Sequence, residues 1–207
     1  RYLTSIFSIL VFFFSFKTLR SRIYPKSSPL LALFFCSFWY IFFISARFSS
    51  ETWSGLLLII SAIIAIKNDY LSKKQLFVIG IIVSLAFQFR YQVAFSIVGL
   101  TLWLFIVRRE NLKNLMIYVT GFLIILFLGF LIDCQFYDKW VFAPWKYFEF
   151  NILKGKLDSF GIVSYKEYFD LCMNSSVYII GIITIIVLIL YALFRPRNIL
   201  IWMFVPF

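Results

Sequence analysis

The 207-residue chain contains no histidine. Within this stretch that excludes histidine general bases, histidine-containing triads and histidine metal ligands. Ionisable side chains are scarce as well. Charged residues make up 14% of the chain against 63% hydrophobic, which places it outside the range of soluble domains. The three cysteines show no metal-ligand spacing. Cys36 lies in an apolar run and reads as packing, while Cys134 and Cys172 share a polar segment, where they either pair in an oxidising compartment or remain two thiols. Neither a glycine-rich phosphate loop nor an internal repeat is present.

What is abundant is apolar bulk. Phenylalanine alone occurs 28 times, more apolar surface than a domain of this size can hide, so lipid must solvate much of it. The net charge of +11 raises the question of nucleic acid. The basic residues nevertheless sit in short clusters between apolar runs, the pattern of cytoplasmic membrane loops, and no nucleic-acid partner is expected.

Apolar runs occupy residues 2–16, 29–46, 53–66, 76–89, 93–107, 115–132, 177–194 and 199–207. Helices are expected, because a helix satisfies its backbone polar groups without water. The connections alternate in charge. Lys17, Arg20, Arg22 and Lys26 follow the first run, Lys67, Lys73 and Lys74 the third, Arg108, Arg109 and Lys113 the fifth, and Arg195 and Arg197 the seventh. By the positive-inside rule these four clusters share the cytoplasmic face. The Arg47–Glu51, Arg90 and 133–176 stretches then share the other face. Residues 76–107, interrupted only by Gln88, Arg90 and Gln92, are too long for one ordinary span, and two short or kinked helices meeting near Arg90 fit the alternation better. The fold expected is all-α, a multipass membrane bundle forming one domain over residues 1–207. The chain opens on Arg1 beside an apolar run and stops inside another, so it is expected to be part of a longer protein.

The polar segment 133–176 mixes carboxylates, lysines and large rings between two unbroken apolar runs. Such a segment belongs on a membrane surface, its rings among headgroups and its charges in water. Pro144 should break any helix begun near Phe136, Gly155 and Gly161 should mark turns, and residues 145–153 could form a short interfacial helix with Trp145, Phe148 and Ile152 facing lipid or core.

Arg47 and Glu51 stand one helical turn apart at the mouth of the third run. They form either a solvated ion pair at a helix starting on Ser49 or Ser50, or a phosphate-holding arginine with an acid that orients it or binds a sugar hydroxyl. Arg90, between Phe89 and Tyr91, either snorkels to the interface or faces a cavity or anionic partner, since a charge at mid-helix costs roughly 2.5–3.5 kcal/mol on the insertion scale. Asp133, Tyr137, Asp138 and Trp140 set carboxylates beside aromatic platforms, a common way to hold a sugar, and a carboxylate there could serve as general base towards an acceptor hydroxyl.

At this set the chain resembles the family 22 glycosyltransferases, which include the mannosyltransferases of glycolipid-anchor and N-glycan precursor assembly and bacterial relatives. The stretch D-C-Q-F-Y-D-K-W-V-F-A-P-W-K-Y-F-E-F-N-I-L-K-G carries the likeness, through Asp133, Phe136, Tyr137, Trp140, Pro144, Phe148, Phe150 and Asn151. R-F-S-S-E-T, beginning at Arg47, and F-R-Y-Q, beginning at Phe89, are weaker matches on the same expected face. The likeness departs where family members carry a His-Pro-Trp-His stretch, for residues 159–169 keep Phe160 and Gly161 without His or Trp, and where Arg90 lacks a following proline. The resemblance implies the GT-C type of bundle and a sugar transfer from a polyprenyl or dolichyl phosphate, most often of mannose, to a glycan or glycolipid acceptor on the non-cytoplasmic face. It implies no cofactor and no metal. Arg47 and Arg90 would hold the donor phosphate. Glu51, Asp133, Tyr137, Trp140 and Asn151 would contact substrate, and the catalytic Asp would lie upstream of Arg1. The membrane would be a bacterial plasma membrane or the endoplasmic reticulum.

Two other classes of function stay open on the residues alone. A transporter or lipid flippase would use the broken helices around Arg90 as a midplane site. A scaffold without chemistry would use the aromatic loop to bind a partner protein.

Overall fold

The structure is a computed structural model, and it describes residues 1–22, 46–156, 164, 166–167, 169–171 and 178–204. The apolar run 29–46, with Cys36, lies outside them apart from its last residue, as do Cys172, Gly161 and most of the 159–169 stretch. The described residues contain helices and no strand. In chain order the helices are α1 (Tyr2–Arg22), α2 (Ser50–Lys67), α3 (Lys73–Phe89), α4 (Ala94–Leu102), α5 (Leu112–Tyr137), α6 (Ala143–Phe148), α7 (Tyr178–Phe194) and α8 (Ile199–Phe204). Trp103–Val107 extends α4 and Glu149–Leu153 extends α6, both as π-helix.

Local signals set the ends. Ser49 caps α2, its hydroxyl accepting from the Thr52 amide at 3.2 Å. Ser72 and Gln75 form a reciprocal capping box on α3. Asn111 caps α5, which outlasts its apolar run and stops at Asp138 in the left-handed region, φ 56°. Pro144 therefore breaks nothing, because α5 has already ended. It sits in the first turn of α6, where its missing N–H is no loss. The short helix expected over 145–153 exists, and Trp145, Phe148 and Ile152 are exposed on it. Gly155 turns the chain at φ 61°.

Packing follows a membrane logic. Helices α1, α2 and α5 are long and apolar enough to cross a bilayer, and the mean hydropathy of α5 reaches 2.7. On α1 the buried stripe is Thr4, Ser8, Val11, Ser15 and Thr18, while Leu3, Ile6, Ile9, Phe13 and Phe14 point outward. Small residues let helices approach and large apolar ones meet lipid, the reverse of a soluble helix. The core sits between α2, α3, α4 and α8, with Leu76, Ile79, Val83 and Ala86 of α3 spaced at helical intervals along one side. Helix α3 also packs on α5 at a point of backbone contact. A methyl group at Gly80 would overlap the Tyr118 carbonyl, and one at Gly121 would overlap the Phe77 carbonyl. Eight residues further along both helices, Gln88 lies over Gly129, so α3 and α5 run parallel in a fixed register.

The basic clusters gather at one end of this bundle. Lys17, Lys67, Asn68 and Lys74 line one cavity. Arg108 donates to the carbonyls of Ala65 at 2.7 Å and Asn68 at 2.6 Å, and the Trp103 indole donates to the Arg197 carbonyl at 2.8 Å. Burial in this corner pushes the Arg108 guanidinium below its ordinary range, and the Glu110 and Asp69 carboxylates oppose that.

Two measurements check the packing and the placement of the ends. Gly80→Ala should lower unfolding stability in detergent by about 1–3 kcal/mol, because the contact is with backbone that cannot step aside. Gly55→Ala, facing open space inside α2, should leave it unchanged or raise it by up to about 1 kcal/mol, since alanine is the better helix former. Single cysteines at Ser49 and Gln92 should react with an impermeant thiol reagent from one side of sealed vesicles, and cysteines at Asn68 and Asn111 from the other.

Candidate functional site

The opposite end of the bundle collects the polar groups that the charge pattern had set on one face. The long apolar stretch divides at Arg90, whose extended backbone, φ −154° and ψ 112°, ends α3. A single 3-10 turn, Tyr91–Val93, leads into α4. No proline or glycine forces this break. Side-chain bonds hold both sides of it instead: Arg90 forms an ion pair with Glu51 in the first turn of α2, and Gln92 donates to the Tyr147 hydroxyl of α6 at 2.5 Å. The Tyr91 ring packs edge-on against Tyr147 at 5.3 Å, and Asp133 and Tyr137, one turn apart on α5, act electrostatically on the Tyr91 hydroxyl. The three polar stretches therefore converge, through direct contacts from Glu51 to Arg90 and from Gln92 to Tyr147.

Arg47 does not join its expected partner. Ser49 caps α2, so Arg47 precedes the helix and lies exposed. The one-turn spacing that would have paired it with Glu51 does not exist, and Glu51 turns to Arg90. Arg90 neither simply snorkels nor lies solvated. Its side chain is 29% exposed, and its Nε is buried without a hydrogen-bond partner. Beside the pair opens a cavity of about 290 Å³ lined by Glu51, Ser54, Gly55, Leu58, Arg90, Val93, Ser96 and Phe204. Its polar wall is thus one cation, one anion and two buried serines. Glu51, 61% exposed, holds Arg90 from the solvent side, a weak grip for a solvent-screened pair.

The remaining candidates stand around this centre. Tyr137 is half exposed, and Trp140, 85% exposed, leans at a tilt against Phe130 at 5.8 Å. Asn151 turns its amide back to the Tyr147 carbonyl at 2.9 Å. Among the described residues, neither Trp140 nor Asn151 touches Glu51 or Arg90. Glu149 is bridged by Lys146 at 2.8 Å and Lys154 at 3.0 Å, and these ammonium groups hold its carboxyl below the usual range. Cys134 is a free thiol. No group of three His, Cys, Asp or Glu among the described residues is placed to hold a metal ion.

Residues that sequence reasoning passed over include Trp53 and Tyr147. Trp53 stacks between Phe7 at 5.1 Å and Phe89 at 5.7 Å, tying α1 and α2 to the end of α3. A lone Trp beside Glu51 and a Tyr among many rings carry no signal of these contacts.

Membrane-length helices, an apolar exterior and one end bearing an arginine, acids and rings define an integral membrane protein with its polar site at the bundle's rim. The model of the Alg9-like mannosyltransferase family matches residues 1–207, and the chain belongs to that family of membrane glycosyltransferases. No curated protein and no solved structure matches it.

A double-mutant cycle with Gln92→Leu and Tyr147→Phe, read by unfolding stability, should give a coupling of about 0.5–1.5 kcal/mol, the usual net worth of one hydrogen bond. A double-mutant cycle on Glu51 and Arg90, read by unfolding stability, should give a coupling of no more than about 1 kcal/mol, as befits a solvent-screened pair.

Proposed function

We propose that this protein transfers mannose from a polyprenyl or dolichyl phosphate to a glycan or glycolipid acceptor, at the rim where Glu51, Arg90 and the α5–α6 segment meet. The observation that carries this reading is Arg90 itself: a guanidinium with a buried, unpartnered Nε, set beside a cavity and gripped by one exposed carboxylate. Such a group is suited to a phosphate, which offers the two acceptor oxygens a planar donor fork can meet.

In this proposal the acceptor hydroxyl oxygen attacks the anomeric carbon while the bond from that carbon to the phosphate oxygen breaks. The lipid phosphate leaves with the bonding pair, the hydroxyl proton passes to a carboxylate base, and the configuration inverts. Arg90 stabilises the charge that grows on the leaving phosphate, with Arg47 supporting it from outside the α2 cap. Glu51 releases Arg90 as the phosphate arrives and is then free to accept from a sugar hydroxyl. Asp133, Tyr137, Trp140 and Asn151 form the acceptor side, where carboxylate and ring faces suit a sugar. No cofactor is needed for this displacement. Family membership favours the transferase over a transporter or a scaffold.

The test is transfer by the full-length protein supplied with polyprenyl-phosphate mannose. Arg90→Ala should lower turnover by roughly 10²–10³, the usual loss for one donor to a developing oxyanion. Arg90→Lys should recover only part, keeping the charge without the fork. Undiminished transfer by Arg90→Ala removes Arg90 from the mechanism. Movement of the lipid across sealed vesicles without sugar transfer would favour the transporter.

A further inference from the structure

A second cavity lies away from the proposed site. It measures about 700 Å³, within the usual range for small-ligand sites, and runs between α1, α2 and α3. Its wall is apolar along Phe7, Leu10, Phe14, Ile60, Ile63 and Val78. From Phe7 to Ser21 on α1 it follows about 21 Å of helix, against roughly 15 Å for one leaflet of hydrocarbon. At the basic end of the bundle the lining changes to Lys17, Lys67 and Lys74. No described lining residue is acidic, and none of these three lysines pairs with a carboxylate among the described residues. Neighbouring polar groups are already engaged: Ser21 donates to the Thr18 carbonyl, Asn68 to the Ile64 carbonyl, and Gln75 accepts from the Ser72 amide. The lysines are therefore the donors left over at the mouth of an apolar groove of acyl-chain length. The positive N-terminal end of α3, which carries Lys74, adds to the same potential.

We propose that this groove binds an anionic phospholipid, its acyl chain along α1 and α2 and its phosphate between Lys17, Lys67 and Lys74. The lipid comes from the leaflet at the basic end, opposite the rim of Glu51 and Arg90, and the proposal is independent of what that rim does. A zwitterionic lipid satisfies the apolar wall but brings its own cation with its phosphate, so it offsets less of the three lysines' charge. An anionic one meets both halves of the groove.

The full-length protein is reconstituted into nanodiscs of phosphatidylcholine containing a phosphatidylglycerol probe with a photoreactive acyl chain. Irradiation should label α1 and α2 peptides that contain Leu10, Phe14 or Ile63. Unlabelled phosphatidylglycerol should compete, and added phosphatidylcholine should not. A lysine near a charged lipid surface changes affinity by about fivefold, so the Lys17→Gln, Lys67→Gln, Lys74→Gln triple variant should lose labelling by at least about tenfold. Ile63→Trp, which fills the groove and keeps the lysines, should reduce labelling as well, and it serves if the triple variant does not fold. Equal labelling of the groove by a phosphatidylcholine probe would overturn the proposal. So would full labelling of the triple variant, or labelling spread over α5 with none in the groove.

Discussion

The backbone contact of α3 with α5 at Gly80 and Gly121 is the constraint on which the polar rim depends. Neither glycine can gain a methyl without striking the other helix's carbonyl, so the two parallel helices are locked in depth as well as in distance. That register carries Tyr91 to the level of Asp133 and Tyr137, and it lets the helix after α5 turn back so that Tyr147 reaches Gln92. A slip of one turn, about 5.4 Å, would separate these groups.

The two ends of the bundle are built differently. At the basic end the Arg108 side chain is largely buried, bonds two carbonyls of the α2 terminus and lies over the Trp103 ring at 5.6 Å. These bonds replace the carbonyls' lost helical partners and fix the end. At the other end Arg90 is held by a single, mostly solvated carboxylate. One arginine completes a helix end. The other rests on one exposed ion pair, which suits the phosphate contact proposed for it.

Much of this was legible in the residues, and the limits have physical causes. The spans among the described residues, the clustering of basic groups, the break at Arg90 and the Ser49 cap all follow from local pattern, because lipid and backbone hydrogen bonding act on neighbours along the chain. The partner of Glu51 was not legible: helical spacing pointed to Arg47, and only the cap position shows that Arg47 lies off the helix. Gly80 and Gly121 carry no signal in isolation, since a glycine in an apolar run reads the same whether it faces lipid or another backbone. The Gln92 to Tyr147 bond joins residues 55 apart, and nothing local in either anticipates it. The likeness to a family supplied the chemistry proposed for the rim, which periodicity alone does not.

Helix α5 continues well beyond its neighbour. Past the glycine contact it has seven more residues than α3, about 10 Å of extra height. Arg90 is consequently sunk below the tip of α5, at the foot of a wall bearing Asp133 and Tyr137. An acceptor in the proposed reaction would therefore meet Arg90 alongside the carboxylate and ring of α5, and not at its tip.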